Sequence, residues 1–354
     1  MPTRLYAVDK VNVSWDSIIG QDNAKHQLMH AVILPQRYPE IFGFYKKEPT
    51  KGILLFGPPG CGKTMFAKAL ATELASSSAN RQDAGFIYIK GPEIFSKWMG
   101  ESERNVRDIF DTARDFKKRQ NRPAVIFIDE ADSLLRNRTD DSDVSGGRRD
   151  VVAMFLAEMD GLEDTGGIVL LATNRPSMLD SAVVRPGRID LKIKIGRPNR
   201  SEAEKLCAYY LSNIPLHHDS FVRPISSQGS GAGKILLEIL VESAMERIYQ
   251  DDRAYYEVID NNDVIFHFGL GNLVSGALIA GIVEQAKDLA ADRDIIAVEA
   301  LDHPDEYYPQ GLWYEDLIGA VDSVWLQNQR LNHKDALEEF VGKLDQPVQI
   351  KSLA

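Results

Sequence analysis

Residues 53–64 read Ile-Leu-Leu-Phe-Gly-Pro-Pro-Gly-Cys-Gly-Lys-Thr, and this stretch decides the fold. Ile53 to Phe56 is a short apolar run of buried-strand character, Gly57 to Thr64 fits G-x-x-x-x-G-K-[ST], and Met65 to Leu74 continues with helical periodicity. A strand, a glycine-rich turn and a helix in that order form a phosphate cradle. In Gly57, Pro58, Pro59, Gly60, Cys61 and Gly62 the glycines let successive backbone N–H groups face phosphate oxygens, at the positive end of the following helix. Lys63 is spaced to set its ammonium between the β- and γ-phosphates, and the Thr64 hydroxyl to complete a Mg2+ shell, with Met65 closing the binding segment. ATP and Mg2+ are the expected cofactors.

Working outward, Val125-Ile126-Phe127-Ile128-Asp129-Glu130 is a second apolar run, ending in two carboxylates. Open α/β sheets bind ligands at the carboxyl ends of their strands, so the acids belong beside the phosphate loop. Asp129 is expected to hold Mg2+, directly or through water, and Glu130 to act as general base toward an attacking water. Because both acids are intact, hydrolysis is expected and not nucleotide sensing alone. A third run, Ile168 to Thr173, ends at Asn174, whose amide is placed to orient the lytic water or touch the γ-phosphate. The same Asn-Arg-Pro would also serve as a plain strand-terminal turn.

The 354-residue chain suits about two domains. Its 41 Lys and Arg against 52 Asp and Glu give a net charge of −11, which weighs against a non-specific nucleic-acid binder. The longest apolar candidate, Leu273 to Val283, is interrupted by Ser and Gly and falls short of a membrane span; the first twenty residues lack the apolar core of a secretory signal. Two cysteines make no disulfide framework, so a reducing cytoplasm is expected and no membrane partner. The seven histidines include no HExxH and no metal-binding pair on one helical face; His217-His218 reads as a solvated loop pair, and no zinc is expected.

On these residues the chain resembles the classical clade of AAA ATPases. Thr173-Asn174-Arg175-Pro176 resembles that clade's sensor-1 segment, and Asp180 to Asp190 (Asp-Ser-Ala-Val-Val-Arg-Pro-Gly-Arg-Ile-Asp) resembles its second region of homology. The resemblance implies that Arg185 and Arg188 reach the ATP of an adjacent subunit, and hence a ring, in the family's usual form a homohexamer. It also implies that Ile18, Ile19 and Gly20, within Asp16 to Gly20, contact adenine, and that Asp160-Gly161-Leu162 reports the neighbour's nucleotide state. Gly276 and Ala277, behind Ser275, fall in the sensor-2 region, which in this clade lacks an arginine, as it does here.

A narrower resemblance is to the AAA module of the actinobacterial proteasome-associated ATPases, the Mpa/ARC group. It rests on Ile89-Lys90-Gly91-Pro92-Glu93, on Arg185 to Arg197, on Tyr210-Leu211 with Pro215-Leu216-His217, on Glu246 to Tyr249 before Tyr255 to Val258, and on the Ser275 helix through Lys287. That group carries a coiled coil and oligonucleotide-fold domains before its ATPase and a tail with a penultimate tyrosine. Here about 14 residues precede Trp15, and the chain stops at Lys351-Ser352-Leu353-Ala354. Direct recognition of a tagged substrate and tail-driven gate opening are therefore not carried over.

Lys97-Trp98-Met99-Gly100 corresponds in the family to pore loop 1. Trp98 offers a large apolar face at low entropic cost and Met99 an adaptable one, so both are candidate substrate-binding residues. Arg138 to Arg149 reads as a polar loop, the second pore loop by resemblance; Arg148 and Arg149 either brace a neighbour or are simply solvated.

The expected architecture is α/β. Residues 1–198 form a P-loop domain with a five-stranded parallel sheet (strands near 53–56, 86–90, 124–129, 168–173 and 191–195) and helices on both faces. Residues 199–354 form a mainly helical lid with Ser201-Glu202 opening its first helix, a flexible Ser226 to Gly233, and a β-hairpin around Asp260-Asn261-Asn262-Asp263. A final edge strand is expected at Pro347 to Ile350. The leading functional expectation is an ATP-dependent unfoldase that threads protein substrates through a ring, with a proteasome-type protease as partner. An assembly switch or disassembly factor without threading is the alternative, and a nucleic-acid remodeller ranks behind both.

Overall fold

The computed structural model describes residues 5–7, 11–47, 50–76, 83–94, 101–136, 147–160, 166–217, 225–226, 231–301, 307–344 and 347–353. The chain divides into two compact units, Met1–Gly196 and Arg197–Ala354.

Among the described residues the first unit is built on six strands: β1 (Leu5–Ala7), β2 (Gly52–Phe56), β3 (Asp83–Lys90), β4 (Ala124–Asp129), β5 (Gly167–Thr173) and β6 (Leu191–Lys194), in the order β1-β3-β4-β5-β2-β6. The five expected strands pair in parallel. β1 adds an antiparallel edge to β3 that is absent from the sequence-based expectation, because three residues carry no usable periodicity. Every residue of β5 is buried, as are the first five of β4, which is why both read as unbroken apolar runs. Alternate side chains serve opposite faces. Ile126 and Ile128 join Val106, Phe110 and Phe155 of helices Glu101–Gln120 and Gly147–Asp160. Val125 and Phe127 join Phe66 and Leu70 of helix Lys63–Ser76, with Leu28 and Val32. Two helical layers thus cover the sheet.

Among the described residues the longer helices of the second unit are Arg200–Leu211, Gly231–Ile248, Gly276–Glu299, Tyr314–Gln329 and Lys334–Gly342. Its strands are β7 (Pro215–Leu216) with β8 (Ile225–Ser226), and β9 (Ala254–Asp260), β10 (Ile265–Gly269) and β11 (Val348–Ser352) in the antiparallel order β10-β9-β11. The hairpin turn is held by Asp260, whose Oδ1 accepts from the amides of Asn262 and Val264 at 2.8 and 2.9 Å. β11 is the expected terminal edge strand, pairing with β9.

Four details differ from the sequence reading. The first lid helix is capped by Asn199, which forms a reciprocal capping box with Glu202, and not by Ser201. Gly231 to Gly233 form the first turn of helix Gly231–Ile248, so the glycine-rich stretch ends in a helix; residues 227–230 lie outside the described residues. Likewise Gly147 to Arg149 open a helix where composition alone predicts a loop; residues 137–146 lie outside the described residues. His217 stacks on Trp313 at 4.2 Å, so it is packed and not simply solvated.

Candidate active site

β5 lies between β4 and β2, so the carboxyl ends of three adjacent strands carry, in space, Asp129 and Glu130, then Asn174, then the glycine loop. The loop needs its glycines. Gly57 has φ +143°, and a Cβ there would lie 2.0 Å from the Ile195 carbonyl oxygen; Gly62 has φ +96°, which side-chain-bearing residues rarely adopt. Close approach to β6 at one end and a left-handed backbone before Lys63 at the other fix the curl of the cradle.

Lys63 opens helix Lys63–Ser76 and is only 8% exposed. Its ammonium donates to the carbonyl oxygens of Gly57 and Pro58, both at 2.8 Å, and to Asn174 Oδ1 at 2.7 Å. All three acceptors are neutral. Burial pulls the Lys63 pKa below its ordinary value, against the opposing charges of Cys61, Asp129 and Asp132. The contact with Asn174 brings the end of β5 and the loop after β2 into one site.

Thr64 Oγ1 donates to Asp129 Oδ2 at 3.3 Å, while Asp129 Oδ1 accepts from the Glu130 amide at 3.0 Å. A hydroxyl and a carboxylate side by side form a hard-oxygen donor set, suited to Mg2+. Burial, then the nearby Asp129 charge, push Tyr88 up to about 12. Glu130 is exposed and sits in the left-handed region at φ 51°, an uncommon place for a glutamate that turns the chain sharply out of β4. Its carbonyl is held by Ser133, through N at 2.9 Å and Oγ at 2.7 Å. Behind the site, Thr173 Oγ1 donates to Asp132 Oδ1 at 2.5 Å and accepts from the Arg175 amide, tying the end of β5 to the turn after β4.

The entry segment packs on the same unit. Ile18 is buried and Ile19 and Gly20 are half-buried, and Gln21 exchanges two hydrogen bonds with Gly196 at 2.9 and 3.3 Å. Gly276 and Ala277 lie in the second unit, in the first turn of a helix capped by Ser275, whose Oγ accepts from the Leu278 amide at 3.2 Å. Pro58, Pro59, Gly60, Cys61 and Met65 belong to the loop and the first helical turn, while Trp98 and Met99, like Gly161 and Leu162, lie outside the described residues.

The two arginines stand apart from this cluster. The Asp190 amide donates to the Gly52 carbonyl, and a Cβ on Gly52 would meet the Arg188 carbonyl oxygen at 2.0 Å. Arg188 therefore sits at the start of β2, whereas the phosphate loop leaves its far end; the five strand rises from Gly52 to Gly57 separate them by roughly 16 Å. The Arg188 guanidinium grips Asp160 with two nitrogens (Nε to Oδ1 at 2.6 Å) and donates to the Ala182 carbonyl at 2.5 Å. That pairing holds Asp160 below the usual carboxylate range. Arg185 is exposed. The Arg188–Asp160 and Thr173–Asp132 contacts are not legible in the sequence.

Among the described residues no helix is long and apolar enough to cross a membrane. Residues 53–197 match the model of the ATPase family associated with various cellular activities (AAA), and residues 198–341 that of the ARC, AAA+ ATPase lid domain. Among curated proteins, an "AAA ATPase forming ring-shaped complexes" of Corynebacterium efficiens is 36% identical over 341 residues, covering 96% of this chain and 59% of the relative. A "Proteasome-associated ATPase" of Acidimicrobium ferrooxidans is 35% identical over 329 residues, 90% of this chain and 54% of that protein. Another of that name, of Streptomyces griseus, is 38% identical over 292 residues, 79% and 48%. The chain thus spans about half the length of the curated relatives it matches. With a phosphate cradle, a Thr64–Asp129 pair and an Asn174-bound lysine on a five-stranded parallel sheet, followed by an ARC-type lid, the chain belongs to the AAA ATPase family, whose members bind and hydrolyse ATP.

Proposed function

We propose that the chain is the ATPase engine of a cytoplasmic ring of identical copies, in its simplest form a hexamer, that unfolds protein substrates by pulling them through a central pore. The observation that carries the shared-site part is the position of Arg188 at the start of β2, remote from the phosphate loop of its own chain. A guanidinium placed there serves a triphosphate on a neighbour and not its own. The relatives' printed descriptions, ring-shaped complexes in one case and proteasome association in others, favour the same assembly and a proteasome-type protease as partner.

In this reading Gly57 to Met65 cradle the phosphates and Ile18, Ile19 and Gly20 contact the base. Lys63, released from the Gly57 and Pro58 carbonyls, neutralises the β- and γ-phosphates. Thr64 and Asp129 would hold Mg2+, which when bound offsets the charge on the phosphate oxygens. Glu130, exposed at the end of β4, takes the proton of a water whose oxygen attacks the γ-phosphorus as the bond to the β,γ-bridging oxygen breaks. Asn174 orients that water. Arg185 and Arg188 of the adjacent copy brace the developing charge, which requires Arg188 to leave Asp160. Trp98 and Met99 grip the polypeptide.

Trp98→Ala tests the threading step. Basal ATP turnover is expected to persist while unfolding of a fluorescent protein substrate is lost; unchanged unfolding would remove the gripping role of Trp98, and a parent chain that turns over ATP in rings without unfolding any substrate would leave an assembly switch as the reading. Stimulation of turnover by single-stranded DNA and not by unfolded protein would point to a nucleic-acid remodeller.

A further inference from the structure

Thr173, the last residue of β5, is fully buried and meets three separate segments. Its carbonyl accepts from the amide of Gly57, the first residue of the phosphate loop, at 3.3 Å. Its hydroxyl donates to Asp132 Oδ1 at 2.5 Å and accepts from the Arg175 amide at 2.9 Å. A threonine hydroxyl has a single hydrogen, so donation to Asp132 turns its lone pairs toward the Arg175 N–H and leaves the rotor one orientation. The acceptor is a carboxylate, and the length is that of a strong charge-assisted bond. Asp132 lies in the short helix Ala131–Leu134 that directly follows Glu130. The end of that turn is fixed as well: the Leu135 carbonyl accepts from the Asp180 amide at 2.8 Å. The segments leaving β4 and β5 are thus joined at two points, Asp132 to Thr173 and Leu135 to Asp180. Asn174 falls between Thr173 and Arg175, the two residues that the hydroxyl links, and its Oδ1 accepts from Lys63 at 2.7 Å.

We infer that Asp132 and Thr173 are a positioning pair for ATP hydrolysis: Asp132 fixes the Thr173 hydroxyl, the hydroxyl holds the Arg175 amide, and the bend so made sets the direction in which Asn174 leaves the sheet. The inference rests on the water-orienting role given to Asn174 above. The hydrogen bond from Lys63 does not set that direction, because in the same reading Lys63 turns to the phosphates once nucleotide binds. The Asp132–Thr173–Arg175 link lies behind the site and stays in place through that change. Such a link matters more for the rate than for binding, since a small misplacement of an orienting group lowers the chance of a productive attack while the cradle still holds the phosphates.

Thr173→Val keeps the branched shape and removes the hydroxyl, Thr173→Ser keeps the hydroxyl, and Asp132→Asn keeps an acceptor oxygen. ATP turnover by the full chain at saturating Mg2+ and ATP is measured beside the affinity of a fluorescent ATP analogue. In Thr173→Val kcat is expected to fall on the order of 10- to 100-fold with analogue affinity unchanged, while Thr173→Ser and Asp132→Asn retain most of the parent rate. Asp132→Ala carries the same expectation as Thr173→Val from a half-buried position, so the test stands even where Thr173→Val does not fold. The deciding comparison repeats Thr173→Val in an Asn174→Ala background. If the pair acts through Asn174, the second change lowers kcat no further. A loss repeated in full in that background overturns the inference, because it is the signature of a merely structural link. So does an unchanged kcat in Thr173→Val where Asn174→Ala alone is slow. Ordinary turnover by Asn174→Ala alone removes the water-orienting role itself, and the inference with it.

Discussion

The two units place their polar and charged residues by different logic. In the first, charged groups sit at a local cost: Lys63 is buried and donates only to neutral acceptors, and Glu130 is held in a left-handed backbone. In the second, the best-connected charges hold helices and sheet together. Asp322 receives Arg247 through two bonds at 2.8 and 3.0 Å and Arg253 at 2.5 Å, while Arg253 also covers the Trp325 ring at 4.4 Å. Around them Tyr255 stacks on Trp325 and on His333, and Phe268 meets Phe340 edge-on. A site that must receive a highly charged ligand tolerates local cost, whereas a lid that only needs to be rigid commits its polar groups to its own fold.

That contrast breaks most readily at Lys63. Lys63→Ala should lower ATP affinity on the order of 10²- to 10³-fold, with a melting temperature that is unchanged or higher, because burial disfavours the lost charge. Isothermal titration and calorimetry on one preparation check both halves. A protein that melts much earlier would mean that Lys63 is structural, like Asp322.

The converse is Phe268→Ala. Phe268 is fully buried in the second unit, and its removal should cost about 3–5 kcal/mol. Calorimetry should resolve a transition that has moved to lower temperature, with the sheet of the first unit melting as before. A uniform shift of all transitions would show that the two units do not unfold by separate rules.

The smallest effect is a pH dependence. Hydrogen bonding to Arg247, and then to Arg253, holds Asp322 below the ordinary carboxylate range. A carboxylate with a depressed folded pKa stabilises above its unfolded value, about 3.9, and that contribution disappears as the pH falls through the folded value. Asp322→Asn should therefore be less stable than the parent at pH 6 and should approach it as acid protonates the parent's carboxylate. Parallel acid-melting curves would contradict this.

The same contrast explains what the sequence disclosed. Gly57 to Thr64, Asp129-Glu130 and Asn174 are legible because phosphate chemistry demands fixed residue types at fixed spacing, and the buried parallel strands because they are unbroken apolar runs. The three-residue β1, the Asn199 cap in place of Ser201, and the stacking of His217 on Trp313 are not, because each depends on which distant residue arrives beside it. Spacing places Arg188 in its motif, but its grip on Asp160, 28 residues earlier, is a tertiary fact. Tyr88 reads as one more strand residue until register and stacking place its ring on Phe127.

The claim on which the mechanism turns is that each site is completed by the next copy, and mixing two inactive variants tests it most directly. Lys63→Ala keeps its arginines but cannot hold ATP; Arg188→Ala holds ATP but supplies no guanidinium to its neighbour. Equal mixing into common rings makes about a quarter of the interfaces complete, with an intact lysine on one copy facing an intact arginine on the next. ATP turnover, absent from either variant alone, is expected to return in the mixture to about that fraction of the wild-type rate. No recovery in rings shown to contain both variants would contradict the claim, as would full turnover by Arg188→Ala alone.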